Sequence, residues 1–360
     1  MALALTLSRR GLGRTWPNPS VGAVVVQAEE DGPVIVGRGV TQPGGRPHAE
    51  PLALAQAGER ARGATFYVTL EPCSHHGRTP PCADAIVAAG IARVVSALED
   101  PNPLVAGQGH ARLRAAGIAV EVGLCAREAA ASHAGHIRRV REGRPNVLLK
   151  LAVSADGKAG LPGRRPAAIT GEAARDRVHM LRAQSDAILV GIGTAIADDP
   201  MLTCRLPGMA ARSPVRVVLD TRLRLPPTAA LVRSARETPV WVVAGEDAPA
   251  EAERVLSAAG VEVLRAAASG GGLDPAVVLR ELSVRGITRL MVEGGPTVAA
   301  SFIAADLVDE AALFRSRNVL GSGIEALEGM ALTALTQSPR LLSRGIEAVG
   351  ADELEWFERR

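Results

Sequence analysis

Pro47-His48-Ala49-Glu50, then Glu71-Pro72-Cys73, then Pro80-Pro81-Cys82 are the fragments that decide how the first part of the chain is read. His48 precedes an Ala-rich stretch that reads as a helix over 50–63. Cys73 follows a strand-like run over 65–70, and Cys82 opens a second helix that glycine closes at 90. Each residue therefore stands at the end of an element, where side chains from separate elements converge. One imidazole and two thiolates are a borderline-soft donor set that favours Zn²⁺, and three protein ligands leave a fourth tetrahedral position for water. Zinc lowers the pKa of that water toward neutrality. Glu50, two residues past His48, is a carboxylate suited to carry the water's proton to a leaving amine. Such a layout serves hydrolytic deamination at an amidine-like ring carbon. The alternative is a closed structural site with His75 or His76 as fourth ligand, which leaves Glu50 idle. Cys125 and Cys204 read as ordinary small side chains.

Outward from these fragments, the pattern gives a helix over 1–11 and an antiparallel pair over 21–26 and 35–40, joined by a polar turn at 29–32. Strands over 91–98 and 118–122 follow, with a helix over 109–116 between them and a single helix over 126–142. This β-rich start followed by β-α-β-α-β suits a mixed sheet with helices on two faces. Gly143-Arg144-Pro145-Asn146 then punctuates the chain and sets the expected domains at 1–143 and 144–360. The second part reads as a strand over 147–153, a helix over 170–183 capped by Thr170, and a strand over 187–190 entering Gly191-Ile192-Gly193-Thr194. Strands over 215–220, 240–244, 261–264 and 289–293 alternate with helices over 251–259, 275–285 and 298–305. The remainder is mixed, with a final strand near 354–357. The two parts share no motif.

The chain has 360 residues, of which 47% are hydrophobic and only 2% aromatic, so its cores are built from Ala, Val, Leu and Ile. That length suits two domains. Basic and acidic side chains number 41 and 38, for a net charge of +3, too small a surplus for a nucleic-acid footprint. Only Lys150 and Lys158 are lysines. Four cysteines make no disulfide framework. Near the N-terminus the apolar stretch precedes Arg9 and Arg10, the reverse of a signal peptide. No apolar run reaches the roughly 18 residues of a membrane span. The expectation is a cytoplasmic protein with no membrane or nucleic-acid partner.

Glu293-Gly294-Gly295-Pro296-Thr297 lies between a strand and a helix, where backbone amides receive a phosphate. Neither it nor Gly191-Ile192-Gly193 forms the Gly-x-Gly-x-x-Gly of a dinucleotide fold. The latter reads equally well as strand-end punctuation.

Longer stretches carry a family resemblance. Thr15-Trp16-Pro17-Asn18-Pro19-Ser20-Val21-Gly22, Pro47-His48-Ala49-Glu50, Thr69-Leu70-Glu71-Pro72-Cys73-Ser74-His75, Gly77-Arg78-Thr79-Pro80-Pro81-Cys82 and Asp100-Pro101-Asn102-Pro103 resemble the bifunctional riboflavin-biosynthesis deaminase/reductase family. Leu149-Lys150-Leu151-Ala152-Val153-Ser154, Asp156-Gly157-Lys158, Ile169-Thr170-Gly171, Asp198-Asp199-Pro200, Arg216-Val217-Val218-Leu219-Asp220 and Glu293-Gly294-Gly295 resemble its reductase half. The resemblance covers almost the whole chain. It implies an α/β architecture, with an N-terminal cytidine-deaminase-like three-layer domain and a C-terminal dihydrofolate-reductase-like domain. The implied cofactors are one Zn²⁺ per chain and NADPH. The implied substrate is a small phosphorylated pyrimidine: a diaminopyrimidinone is deaminated, and its ribosyl chain is then reduced to ribityl. Carried over by residue, His48, Cys73 and Cys82 hold zinc, and Glu50 moves protons. Asn18, His75, Arg78, Asp100 and Asn102 contact the deaminase substrate. Ala152, Thr194, Asp198, Gly294, Gly295, Pro296 and Thr297 lie against cofactor. Arg182, Leu202, Arg205 and Glu293 lie against the reductase substrate. Lys150 and Asp156 belong near the reductase centre with no role fixed. A homodimer is the expected assembly, because closed dimers are the commonest kind.

Three alternatives stand beside this reading. They are a zinc deaminase of free nucleobases or nucleosides with a degenerate second domain, a transfer-RNA-editing deaminase, and a pair of binding modules around a structural zinc. The eight residues between Cys73 and Cys82, with Arg78 among them, favour a phosphorylated substrate over the first, and the small basic surplus disfavours the second. Two departures from the family pattern concern the reductase. Pro166 and Ala168 stand where the family often has Ser-x-Trp, and Phe314-Arg315-Ser316-Arg317-Asn318-Val319-Leu320-Gly321 lacks the usual Ala-Pro pair. Arg164 and Arg165, just upstream, are candidates to replace the missing contacts through charge.

Overall fold

The structure is a computed structural model and describes residues 1–77, 80–162, 168–269 and 272–360. Arg78, Arg164, Arg165 and Pro166 therefore lie outside the described residues. In the first unit, Met1–Arg144, helix α1 (Ala2–Gly11) leads into β1 (Gly22–Glu29) and β2 (Gly32–Val40). Then come α2 (Ala49–Ala57), β3 (Thr65–Val68), α3 (Cys82–Ala88), β4 (Arg93–Ser96), α4 (Gln108–Ala115), β5 (Ala119–Val122), α5 (Ala126–Ser132) and α6 (Ala134–Glu142). The sheet order is β2-β1-β3-β4-β5. β1 is antiparallel to both neighbours, and β3, β4 and β5 run parallel.

Alternation along the strands sorts the two faces. Ala23, Val25, Phe66 and Val68 pack with Ala49, Ala53, Ala57, Ile86 and Leu113 from α2, α3 and α4. Leu5, Ala97 and Ala129 form a smaller cluster involving α1 and α5. Spacing of four places Ala49, Ala53 and Ala57 on one stripe of α2. Small residues there let the helix lie directly on β2. A Cβ on Gly37 or Gly39 would sit 2.1 Å from the carbonyl oxygen of Ala53 or Ala49. This contact seats the start of α2, and with it His48 and Glu50, against the sheet.

In the second unit, Pro145–Arg360, the main elements are β6 (Asn146–Val153), α7 (Glu172–Ala183), β7 (Ala187–Gly191), α8 (Ile192–Asp198), β8 (Val215–Leu219) and β9 (Val240–Gly245). They continue as α9 (Ala250–Ala258), β10 (Glu262–Ala266), α10 (Pro275–Val284), β11 (Arg289–Val292), α11 (Pro296–Ala304), β12 (Glu310–Arg315), β13 (Leu341–Val349) and β14 (Asp352–Arg359). Nine strands form one sheet in the order β10-β9-β8-β7-β11-β6-β12-β14-β13. The pairs from β10 through to β12 are parallel, and β14 and β13 add an antiparallel edge. Adjacent β7, β11 and β6 thus end side by side, and ligands in open parallel sheets bind outside such carboxyl ends.

Four local expectations differ from what is observed. The helix expected over 50–63 stops at Ala57, because Gly58 takes φ +56°. The helix expected over 126–142 is two helices, interrupted at His133 with φ −96° and ψ 10°. There the His133 Nε2 bonds Thr69 Oγ1 at 3.0 Å, so a tertiary contact wins over helix continuity. Thr170 does not cap α7, whose N-cap is Gly171. The Gly171 N–H donates instead to Asp352 Oδ2 at 2.7 Å. Finally, the mixed tail contains β12, a buried strand paired on both sides, and the β13–β14 hairpin.

Candidate active sites

His48 is the residue just before α2, Cys73 lies beyond β3, and Cys82 is the first residue of α3. Their ligand atoms all fall within 4.8 Å of one another. His48 Nδ1 is 3.8 Å from Cys73 Sγ and 3.4 Å from Cys82 Sγ. A tetrahedral site with Zn–S near 2.3 Å and Zn–N near 2.0 Å needs S···N edges of about 3.5 Å, so the triad fits zinc. The Cys82 backbone N–H donates to Cys73 Sγ at 3.3 Å. Hydrogen bonds from Cys82, with a further one from His48, lower the Cys73 pKa to about 4 against the opposing effect of burial. The Cys82 thiol shares its proton with that sulfur and is raised, with burial adding to the shift. A bound divalent cation would be held by both sulfurs as thiolates, with that last proton released.

Glu50 is only 3% exposed. Among the described residues its Oε2 has no hydrogen-bond partner. Burial pushes its carboxyl pKa up, opposed in part by His48. A buried carboxylate oxygen without a partner, beside three ligands that leave one position open, is the arrangement a proton carrier requires.

The loop after β4 carries Asp100 and Asn102 and is folded on itself. Asp100 Oδ1 accepts from the Asn102 N–H at 2.8 Å and from His136 Nε2 at 3.0 Å. Asn102 Oδ1 accepts from the Leu104 N–H at 3.1 Å. Beneath them Glu71, next to the Pro72-Cys73 turn, accepts three backbone N–H bonds. These come from Asp100 at 3.1 Å, Gly107 at 3.0 Å and His110 at 3.1 Å. Asn18 donates to the Gly45 carbonyl at 2.9 Å, just ahead of His48. His75 is exposed, on the segment between the two cysteines. Sequence reasoning gave Glu71 and His136 no task. The available signal for Glu71 was an acidic residue two positions before a ligand, in a segment otherwise apolar.

In the second unit a cavity of about 370 Å³ lies at the carboxyl ends of β6, β7 and β11. Lys150, Ala152, Thr194, Asp198, Glu293, Gly294, Gly295 and Pro296 are among the residues that line it. A Cβ on Gly295 would meet the Thr194 hydroxyl at 2.8 Å, so the α11 and α8 ends approach through a bare backbone. No side chain caps α11, which leaves the amides of its first turn for a ligand. The bare turn and those amides fit a phosphate-bearing cofactor.

Glu293 is the centre of a charge cluster. Arg182 reaches it from Nε and Nη2 at 3.0 Å each, Lys150 Nζ lies 3.2 Å away, and Arg182 Nη1 also donates to the Thr203 carbonyl. Burial alone would raise its carboxyl, but Lys150 and Arg182 outweigh burial and lower it. Leu202 is buried at φ +53°, and Arg205 is exposed with its N–H on His179 Nδ1. Arg182, Leu202, Arg205 and Thr297 are not cavity-lining residues, and the Thr297 hydroxyl is bonded to Glu328. Asp156 is also outside the cavity lining. It accepts from the Ser154 hydroxyl and the Leu320 and Gly321 N–H groups, which lower its pKa to about 2, and so ties two loops together. Ala168 lines the cavity and offers it only a methyl.

Comparison with known proteins adds the following. Residues 1–98 match the cytidine and deoxycytidylate deaminase zinc-binding region, and residues 145–353 match the RibD C-terminal domain. The chain is 42% identical over 366 residues to riboflavin biosynthesis protein RibD of Escherichia coli K12, covering 98% of this chain and 96% of that one. It is 39% identical over 359 residues to the RibD of Aquifex aeolicus, covering 100% and 97%. The structure of Acinetobacter baumannii RibD superposes with a TM-score of 0.86 at 38% identity, covering 100% and 97%. That of the Thermotoga maritima diaminohydroxyphosphoribosylaminopyrimidine deaminase/5-amino-6-(5-phosphoribosylamino)uracil reductase gives 0.85 at 35%, with the same coverage.

Proposed function

The chain belongs to the RibD family, the bifunctional deaminase–reductases of riboflavin biosynthesis, and on that premise we propose how its own residues divide the two reactions. The protein is a zinc-dependent aminohydrolase and an NADPH-dependent oxidoreductase. Its first substrate is 2,5-diamino-6-(5-phosphoribosylamino)pyrimidin-4(3H)-one. Deamination replaces a ring C–NH₂ by C=O, consuming water and releasing ammonia. The second reaction opens a ribosylamine to its imine, then adds a hydride to the first sugar carbon and a proton to nitrogen.

We assign deamination to residues 1–143 and reduction to residues 144–360. His48, Cys73 and Cys82 hold zinc, which when bound supplies Lewis-acid activation of water at neutral pH. Glu50 takes a proton from that water and gives it to the departing amine. The raised pKa of its buried carboxyl suits a group that must hold the proton between the two transfers. Asn18, His75, Arg78, Asp100 and Asn102 contact the pyrimidinone and its phosphorylated sugar. The loop bonds of Asp100 and Asn102 fix their backbone, which lowers the cost of ordering them on binding.

In the reductase, Ala152, Thr194, Asp198 and the turn Gly294–Thr297 form the NADPH side, and NADPH supplies the hydride. Arg182, Leu202, Arg205 and Glu293 form the substrate side. Glu293 is kept ionised by Lys150 and Arg182, so it remains an acceptor for substrate hydroxyl or amine groups at neutral pH. The protein's share is alignment of donor and acceptor.

We further propose a homodimer working in a reducing, cytoplasmic compartment. Cys73 and Cys82 must stay reduced to bind metal, which supports that location, and the frequency of closed dimers supports the assembly. The observation that carries the whole reading is the buried Glu50 carboxylate, whose Oε2 has no hydrogen-bond partner among the described residues, beside the His48–Cys73–Cys82 triad. Separate assays of ammonia release and NADPH oxidation by the purified chain test it.

A further inference from the structure

Among the described residues, two cations, Lys150 and Arg175, line the reductase cavity, together with the carboxylates of Glu293 and Asp198. Lys150 is neutralised by Glu293, both of whose oxygens are also reached by Arg182. Arg175 differs. It is exposed, and its one side-chain hydrogen bond among the described residues runs from Nη1 to the Thr170 carbonyl at 3.1 Å, with no ion pair there. A guanidinium carries five N–H donors in a planar fork, so most of them remain available.

Position sharpens the point. Arg175 is the fourth residue of α7, and its side chain turns back toward the N-terminal end of that helix. The Asp352 carboxylate already accepts the Gly171 N–H at that end, at 2.7 Å, so the helix end itself is compensated and Arg175 is the group left for a further anion. A phosphate in the cavity satisfies the fork, whose planar geometry matches its oxygens. Ala168 and Ile169, immediately before Thr170, line the same cavity.

We infer that Arg175 binds a phosphate group inside the reductase cavity, a role given to none of the residues carried over from the family. The inference rests on the reading of this cavity as the NADPH and substrate site. Both ligands bring phosphate, NADPH as its pyrophosphate and 2′-phosphate, the substrate as its sugar phosphate.

The test uses the full-length protein with Arg175→Gln and Arg175→Lys, both long enough to keep a donor on the Thr170 carbonyl. Dissociation constants of NADPH and NADH are measured, with KM for the deaminated substrate in phosphorylated and dephosphorylated form. A charged hydrogen bond lost to phosphate is expected to cost about tenfold or more. A cofactor phosphate shows as weaker NADPH binding in Arg175→Gln, and as weaker NADH binding too if the pyrophosphate is the partner. A substrate phosphate shows as a higher KM for the phosphorylated form alone. Arg175→Lys falls between Arg175→Gln and the parent. Changes within twofold on every readout overturn the inference, and so does early melting of Arg175→Gln with normal ligand affinities. Absence of any reduction by the unmodified chain counts against the reading of the cavity itself.

Discussion

The backbone N–H of Cys82 points at the sulfur of Cys73, 3.3 Å away, so the first turn of α3 supports one ligand while supplying another. A helix N-terminus stabilises a thiolate, and the Cys73 pKa is lowered to about 4 by hydrogen bonds from Cys82 and His48. Metal and fold are therefore linked in the first unit. Ligand present at a hundred times its dissociation constant stabilises by about 2.7 kcal/mol. Chelation is expected to lower the melting temperature of the first unit by several degrees, at about 3 °C per kcal/mol for this size. Scanning calorimetry before and after chelation and zinc readdition checks this, and an unchanged melting curve contradicts it.

Glu71 accepts three backbone N–H groups from the loop that bears Asp100 and Asn102. Glu71→Gln replaces one acceptor oxygen by a donor facing those amides. A loss of about 1–3 kcal/mol in stability is expected. The deaminase KM should rise while bound zinc stays at one per chain. Unchanged KM together with unchanged urea midpoint shows that the anchoring is dispensable.

Glu293 has its carboxyl lowered from an ordinary 4.5, because Lys150 and Arg182 outweigh burial. A lowered folded pKa contributes stability above the ordinary value and loses it as pH falls through the folded one. Glu293→Gln should thus be less stable than the parent at pH 7, by about 3 kcal/mol, the low end for a broken buried pair. The gap should narrow in acid, as pH falls below the ordinary carboxyl value and through the lowered one, where the parent's carboxyl also gains its proton. Urea melts at pH 7 and in acid decide the matter; a gap that widens in acid has the wrong sign.

Severing the chain between Gly143 and Asn146 should leave two folded pieces. All proposed zinc residues precede the cut, all proposed reductase residues follow it, and each piece contains its own sheet and apolar clusters. The first piece is expected to retain zinc and release ammonia, the second to bind NADPH. A first piece that stays unfolded with zinc present shows that it lacks autonomy.

Much of this arrangement was legible because each signal was local. His48, Cys73 and Cys82 mark element ends, and the Gly294-Gly295 turn sits between a strand and a helix. The resemblance supplied roles that spacing cannot, such as that of Asn18. What stayed hidden depends on distant partners. β12 is an Ala-rich strand buried between β6 and β14, where hydrophobic periodicity distinguishes strand from helix poorly. His133 breaks a helix only because Thr69 waits for it. Glu71 becomes an anchor only once the loop from Asp100 to His110 has folded over it. Asp156, expected near the reductase centre, is occupied in tying the Ser154 loop to Leu320 and Gly321.

The central claim is that Glu50 carries the proton for a zinc site built by His48, Cys73 and Cys82. Its most direct test is Glu50→Gln, with metal content, ammonia release and NADPH oxidation on the deaminated intermediate measured in one preparation. One zinc per chain is expected, with deamination lowered by about a hundredfold or more and reduction at the parent rate. Deamination within a few-fold of the parent, or loss of zinc with the substitution, would contradict it.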